Sequence, residues 1–389
     1  MENTNVPQKT IGRELYKALG DNGFLCISPE DELISFYRGC QDARQDNRDL
    51  HITIVPTLSC CFSCSYCFEK EKRAGIITSE VLNSIIEYIL KKNPDSLHIT
   101  WFGGEPLLAV KQIKEFSEKL DSHYHGEYSS DMITTGFPVT ESAIDIIKRS
   151  HITDIQVTID GAQENHNKVK YTKSCPDSFT RVINNVELIT TRIPEIRCAI
   201  RVNVTKANAA DIPFLHNMVT ERFQGRNVWL SPSLVIDNGI SCSGLLFSYD
   251  EFRCLSEEWW YNYKIPTKWI YGFEQTECAI RKPSAIVVMP DGAICRCWEE
   301  VSNKENYIGA LKSDGTINCY AKQQALTEQL NNCDPFLNDS CRTCPYLPLC
   351  YGGCPIKSIR HQNKEFQCTS YKNHLDEWLD IYLDYLSTD

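Results

Sequence analysis

The sequence predicts an α/β fold in which repeated strand–helix units surround a parallel sheet, and three observations carry that expectation. From residue 51 to about 233, short strand-like runs alternate with amphipathic helical segments, the pattern of successive βα units. Strand candidates lie at 51–55, 97–102, 132–135, 155–159, 196–204 and 228–230. Between them, apolar residues recur at helical spacing, as at 79–91 with Val81, Leu82, Ile85, Ile86 and Ile89, and at 141–149 with Ile144, Ile146 and Ile147. Six units are too few for a closed eight-stranded barrel, so a partial barrel or open sheet is expected, with its chemistry at the C-terminal strand ends.

A chain of 389 residues has room for two or three domains. We expect a lead-in over 1–50, the βα units over 51–233, a bridging region over 234–270 that carries Trp259 and Trp260, a cysteine-rich domain over 271–370, and a packing helix within 371–389. The final segment has Leu375, Trp378, Leu379, Tyr382, Leu383 and Leu386 at helical spacing. With 40 Lys and Arg against 51 Asp and Glu, the formal charge of -11 gives no general attraction to phosphate backbones, and nucleic acid is excluded as a partner. The longest apolar runs, 52–55 and 285–289, are far below the ~20 residues that cross a bilayer. No charged region followed by a continuous apolar core opens the chain. A soluble cytoplasmic protein with no membrane partner is expected, one rich in cysteine (20 in all) whose thiols bind metal rather than form disulfides.

Directly after the first strand, Cys60, Cys64 and Cys67 form a C-x3-C-x2-C array, with Tyr66 just before the last cysteine. A cubane cluster takes four ligands, so three thiolates leave one iron open to an exogenous group. A structural zinc would instead show a fourth local ligand and a closed tetrahedron. After the second strand comes Trp101-Phe102-Gly103-Gly104-Glu105-Pro106, where paired glycines permit close backbone approach to a ligand whose ammonium needs acceptors.

These residues together resemble the radical S-adenosylmethionine enzymes. The resemblance implies that Cys60, Cys64 and Cys67 hold a [4Fe-4S] cluster whose open iron is chelated by S-adenosylmethionine. Gly103, Gly104, Glu105 and Pro106 would hold the methionine amino group, Tyr66 would approach the adenine, and Thr158, at the end of the fourth strand, would reach the ribose. One-electron cleavage of the sulfonium would release a 5'-deoxyadenosyl radical. The family's His-Asp-x-x-Arg pattern appears here as His166-Asn167-Lys168-Val169-Lys170, so the role of its arginine does not carry over directly.

A second cysteine field reads Cys278, Cys297, Cys341-x2-Cys344-x5-Cys350-x3-Cys354 and Cys368. It resembles the SPASM domain attached to radical enzymes that act on peptides. The architecture implied is α/β, a partial (β/α)6 TIM-type barrel with a C-terminal iron-sulfur SPASM domain, and three [4Fe-4S] clusters in all. Cys341, Cys344, Cys350 and Cys368 would close one auxiliary cluster, while Cys278, Cys297 and Cys354 would hold three irons of the other. Many relatives place that cluster's fourth cysteine where this chain has Ser284; Cys295, Cys319 and Cys333 are the local candidates, and Cys295 is favoured because it stands two residues from Cys297. An open iron that binds substrate is the alternative. Cys26, Cys40, Cys61, Cys175, Cys198, Cys242 and Cys254 have no spacing partner and read as buried or incidental thiols.

Sulfatase-maturating relatives carry an aspartate base directly after the cysteine matching Cys297, where this chain has Trp298, followed by Glu299 and Glu300. An indole accepts no proton. The resemblance therefore implies a maturase of ribosomally made peptides that installs a thioether, carbon-carbon or related crosslink, with a precursor peptide and an electron donor such as flavodoxin or ferredoxin as partners. The alternatives are a sulfatase-maturating, formylglycine-forming enzyme and a non-catalytic iron-sulfur electron-transfer protein.

Overall fold

The computed structural model describes residues 12–21, 25–26, 28–64, 66–67, 69, 75–235, 245–267, 277–361, 368, 372 and 374–387. Cys242 and parts of the 234–270 bridge lie outside the described residues. The described chain forms two compact units, one from 12–46, 277–283 and 326–372, the other from 47–267, 284–325 and 374–387. The stretch 271–370, expected as one cysteine-rich domain, is thus shared between the two units.

The larger unit holds the sheet. Six strands, β1 Asp49–Ile54, β2 Ser96–Trp101, β3 Glu127–Thr134, β4 Ile152–Ile159, β5 Arg197–Val204 and β6 Val228–Leu234, run parallel in sequence order. Helices return the chain between them, among others Ser79–Lys92, Val110–His123, Glu141–Arg149, Ser178–Arg192 and Ile212–Arg222. The side chains of Thr78, Thr140 and Asp177 cap three of these by accepting otherwise orphaned backbone N–H groups. This is the expected α/β partial barrel of six units.

Four further strands extend the sheet beyond β1: β7 Ile286–Val288, β8 Ala293–Cys295, β9 Gly309–Leu311 and β10 Ile317–Cys319. β7 pairs parallel with β1, and the rest follow antiparallel, giving a ten-stranded sheet. Each is three residues long, too short to display the alternation that marks a strand in sequence. Several of the six expected strands are also longer than expected, among them β4, which begins three residues earlier. β3 begins five residues earlier because Glu127–Asp131 lack apolar alternation, and β6 continues through Pro232, which an edge strand tolerates since its missing N–H breaks no interior ladder.

The two faces of the six-stranded sheet differ in chemistry. Leu50, Ile52 and Ile54, then Leu97, Ile99 and Trp101, then Ile155, Val157 and Ile159, and Cys198, Ile200 and Val202, are all buried on the helix side. Burying a side chain of this size contributes about 1.5–3 kcal/mol. The register places His51 and Thr53 beside His98 and Thr100 on the inner face, then Asp131, Gln156 and Thr158, Arg201 and Asn203, and Ser231 and Ser233. A sheet covered on both faces ordinarily reads as continuous apolar runs. Here the inner face is largely polar, interrupted by Ile133, Ala199 and Trp229, as the lining of a ligand cavity is.

The tail forms the expected packing helix, Leu375–Leu386, with Trp378 and Ile381 buried. It meets the helix Tyr249–Tyr263, where Trp260 Nε1 donates to Asp384 Oδ2 at 2.9 Å. In the smaller unit, Cys40, Phe336 and Leu347 form a limited core joined by Leu33, Phe36, Cys341 and Tyr351. Arg44 forks onto both oxygens of Glu277 at 2.6 Å and reaches Asp334 at 2.6 Å, tying three separate segments together. Among the described residues, no helix is long and apolar enough to cross a membrane.

Candidate active site

The cysteine loop leaves the end of β1 and is anchored on both sides of its first thiol. Val55 and Leu58 are buried, Thr57 Oγ1 donates to the Gly75 carbonyl at 2.6 Å, and Phe62 packs edge-on against Phe137. Cys60, Cys64 and Cys67 are each half-buried, and the Cys67 N–H donates to the Cys64 carbonyl at 3.2 Å.

The Gly103–Gly104 turn braces this loop. Gly103 has φ +122, and a Cβ there would meet the Thr57 carbonyl oxygen at 2.6 Å; a Cβ on Gly104 would collide with the carbonyls of Ser59 and Leu58. The glycines were expected to let the backbone approach a ligand, and the structure shows them approaching the cysteine loop itself. Gly104 N–H donates to the Thr57 carbonyl at 3.1 Å. Glu105 is fully buried. Its Oε1 accepts from Thr134 Oγ1 at 2.6 Å and Leu107 N–H at 3.0 Å, and its Oε2 from Thr135 N–H at 2.8 Å and Thr135 Oγ1. Burial raises its pKa while the Thr134 and Thr135 donors oppose that. With its oxygens engaged by protein donors, Glu105 ties the turn to the end of β3.

Tyr66 joins the loop to the strand ends. Its hydroxyl donates to Asp160 Oδ1 at 2.5 Å and accepts from Lys170 Nζ at 3.2 Å and Asn203 Nδ2 at 3.2 Å. Burial raises the Tyr66 pKa, Lys170 lowers it, and Asp160 and Cys64 raise it again. Lys170 itself is 3 % exposed and pairs with the 2 % exposed Asp160 at 2.5 Å. Burial pulls the Lys170 pKa down, but Asp160, Tyr66 and Cys64 outweigh it and hold the ammonium charged. A lysine therefore stands where the family pattern has arginine, paired with an aspartate beside Cys64. Thr158 lies half-buried on the inner face, directly across the register from Arg201.

Trp298 closes the same face from the other side. Its Nε1 donates to Thr53 Oγ1 at 2.9 Å and its ring stacks on Phe102 at 5.0 Å. Glu300, which would have to replace the missing aspartate base, is 5 % exposed and accepts a bond from Asn306 Nδ2. Cys297 is half-buried, whereas Cys295 is fully buried in an apolar cluster with Val55, Leu58, Phe102, Val287, Met289 and Val301. Burial raises the Cys295 thiol pKa far above the usual range.

The second cysteine field lies largely in the smaller unit. Burial raises the Cys350 pKa, the Gly352 N–H bonded to its Sγ opposes this, and Cys344, Cys341 and Cys368 raise it further, so these four thiols share one neighbourhood. Between Cys350 and Cys354, Tyr351, Gly352 and Gly353 take successive positive φ values of 48, 81 and 71. Runs of this kind turn backbone N–H groups inward and recur at iron-sulfur sites. Cys278 and Cys354 belong to the smaller unit, Cys295 and Cys297 to the larger. Cys40 and Cys198 are buried packing thiols, pushed by burial up to about 11 and about 12.

Among the described residues, no three Cys, His, Asp or Glu side chains converge as a single metal ion requires. Cys60, Cys64 and Cys67 form a soft thiolate set on one loop, a donor chemistry that suits iron-sulfur ligation. Sequence reasoning did not assign Asp160, Asn203 or Arg201; the polar alternation Arg197, Arg201, Asn203 within an otherwise apolar β5 is the signal that marks the inner face.

The class these features define is confirmed by comparison. Residues 54–218 match the Radical SAM superfamily, and the chain carries a domain of that superfamily. It is similar to the radical SAM cyclopropyl synthase TigE of Paramaledivibacter caminithermalis, 25% identical over 43% of this chain and 39% of that protein. It is also similar to the serine-type anaerobic sulfatase-maturating enzyme of Bacteroides thetaiotaomicron, 26% identical over 36% of this chain and 37% of that protein. The matched region thus spans well under half the length of either curated relative. Among solved structures, native anSMEcpe with bound AdoMet and Cp18Cys peptide shares the fold at TM-score 0.66 and 18% identity, covering 87% of this chain and 98% of that one. Streptococcus suis SuiB bound to precursor peptide SuiA does so at TM-score 0.55 and 15% identity, covering 86% and 79%. Residues 54–218 are thus a Radical SAM superfamily domain, in a chain similar to peptide and protein maturases.

Proposed function

We propose that this protein abstracts a hydrogen from a ribosomally made precursor peptide and installs a thioether, carbon-carbon or related crosslink. The observation that carries the reading is the loop of Cys60, Cys64 and Cys67, half-buried at the C-terminal edge of the sheet and braced above a polar inner face. These three residues would hold a [4Fe-4S] cluster. When bound with S-adenosylmethionine, that cluster supplies a one-electron cleavage that yields a hydrogen-abstracting radical.

The chain's own residues position and enclose. Backbone carbonyls of the Gly103–Gly104 turn would accept the methionine ammonium, with Glu105 holding the turn in place. Thr158 would face the ribose, and the Tyr66 ring, fixed through its hydroxyl, would flank the adenine. Trp298 stacks on Phe102 along one wall. Cys341, Cys344, Cys350 and Cys368 would close one auxiliary cluster. Cys278, Cys297 and Cys354 would hold three irons of another, with Cys295, whose Sγ lies 3.5 Å from the Cys297 carbonyl, as the local candidate for its fourth position. A flavodoxin or ferredoxin would deliver the electrons.

A peptide substrate is supported by what the similar structures contain: a Cp18Cys peptide in anSMEcpe and the precursor SuiA in SuiB. A crosslinking rather than sulfatase-type reaction is supported by Trp298 and by Glu300, which is buried and hydrogen-bonded to Asn306. The test is co-expression with short precursors encoded beside this chain's gene, read by mass. Loss of two hydrogens with a new crosslink in fragmentation is expected. Conversion of a cysteine in a sulfatase-type peptide to an aldehyde would overturn the reading.

A further inference from the structure

Among the described residues, several buried cations pair with carboxylates, while Arg201 on the inner face has no such pair. Lys170 pairs with Asp160, Arg44 with Glu277 and Asp334, and Arg253 with Glu257. Arg201 on β5 is half-buried, and burial lowers its pKa without any carboxylate to offset it. Its Nε donates to Asn203 Oδ1 at 3.0 Å. Among the described residues, its two Nη groups meet no acceptor. Thr158 and Ser231 flank it across the register. Desolvating a charge is costly unless a partner compensates it. An arginine whose Nε is occupied presents its two Nη groups as a planar fork, the geometry that grips a carboxylate bidentately.

We infer that Arg201 is a substrate-anchoring residue that binds the side-chain carboxylate of an aspartate or glutamate in the peptide. Asn203 links it to the cysteine loop: its Oδ1 accepts from Arg201 and its Nδ2 donates to the Tyr66 hydroxyl, between Cys64 and Cys67 in sequence. An acidic residue held there lies beside the loop that carries the chemistry. In a chain of net charge -11, a half-buried cation without a carboxylate partner also selects where an acidic side chain docks. The ligand's identity as a peptide rests on the function proposed above; the need for a carboxylate rests on Arg201 alone. S-adenosylmethionine also carries a carboxylate, and the experiment separates the two sources.

Full-length protein, reconstituted anaerobically with iron and sulfide, is dialysed to equilibrium against labelled N-acetyl-glutamate methylamide, its glutamine counterpart and, separately, S-adenosylmethionine. The wild type is expected to retain the capped glutamate over the capped glutamine by roughly tenfold or more. Arg201→Gln should erase that preference and Arg201→Lys should restore part of it, with S-adenosylmethionine retention, iron content and melting temperature unchanged in Arg201→Lys. Equal retention of the capped glutamate by wild type and both variants overturns the inference, as does loss of S-adenosylmethionine in place of the capped glutamate. Failure of the wild type to form 5'-deoxyadenosine with dithionite would count against the radical reading instead, and leaves the glutamate contrast standing.

Discussion

Cys60, Cys64 and Cys67 stand on a loop whose path is fixed by protein alone: Val55 and Leu58 in the core, Gly103 and Gly104 against its backbone, and Tyr66 bound at three atoms. Cys341 and Cys350 stand on helices of four residues each, Asp339–Arg342 and Leu347–Cys350, beside a core of Cys40, Phe336 and Leu347. Helices this short have no stability of their own. The difference teaches that the first site is preorganised by its sheet, while the second depends on whatever its thiols hold.

Removal of iron by a chelator should break that parallel most visibly. Backbone amides of 339–350 are expected to lose hydrogen-exchange protection, while those of β1 to β5 keep theirs; equal loss in both regions would contradict the account. Next in size is Arg44→Ala, which strands the buried Glu277 and Asp334 carboxylates. It should destabilise the smaller unit by about 3–5 kcal/mol in denaturant titrations followed by hydrogen exchange, with the sheet's protection retained.

Acid should act on the larger unit. Burial lowers the His166 pKa from 6.5 to about 4, with Lys170 adding to the effect. Since the unfolded chain then takes up the proton first, this contribution is complete above about pH 6.5 and is lost as pH falls toward 4, about 3 kcal/mol in all. His166→Gln should flatten the stability curve over that window. The smallest expected effect is confined to one loop. Gly104→Ala pushes a Cβ into the Ser59 and Leu58 carbonyls, so iron bound at the first loop should fall while iron bound by the second field and overall secondary structure by circular dichroism hold.

Much of the fold was legible because the helix side of the sheet is written in apolar residues of period two, as in Ile155, Val157 and Ile159. The three-residue strands β7 to β10 carry no period and were invisible, as was the division of 271–370 between two units. At the site, cysteine spacing marked the loop without any help from burial. Thr134 and Thr135, which bond the Glu105 oxygens from β3 and the loop after it, lie far from Glu105 in the chain, so this bracing is visible only in the fold. Lys170 looked like a departure from a pattern, and only the fold brings it to Asp160 and Tyr66.

The most direct test of the central claim is 5'-deoxyadenosine formation by anaerobically reconstituted protein supplied with S-adenosylmethionine and dithionite. The account predicts product from the wild type, none from the Cys60→Ala/Cys64→Ala/Cys67→Ala variant, and retention by that variant of the iron bound in the second cysteine field. Product formation that survives loss of the three thiols, or none from the wild type, would contradict it.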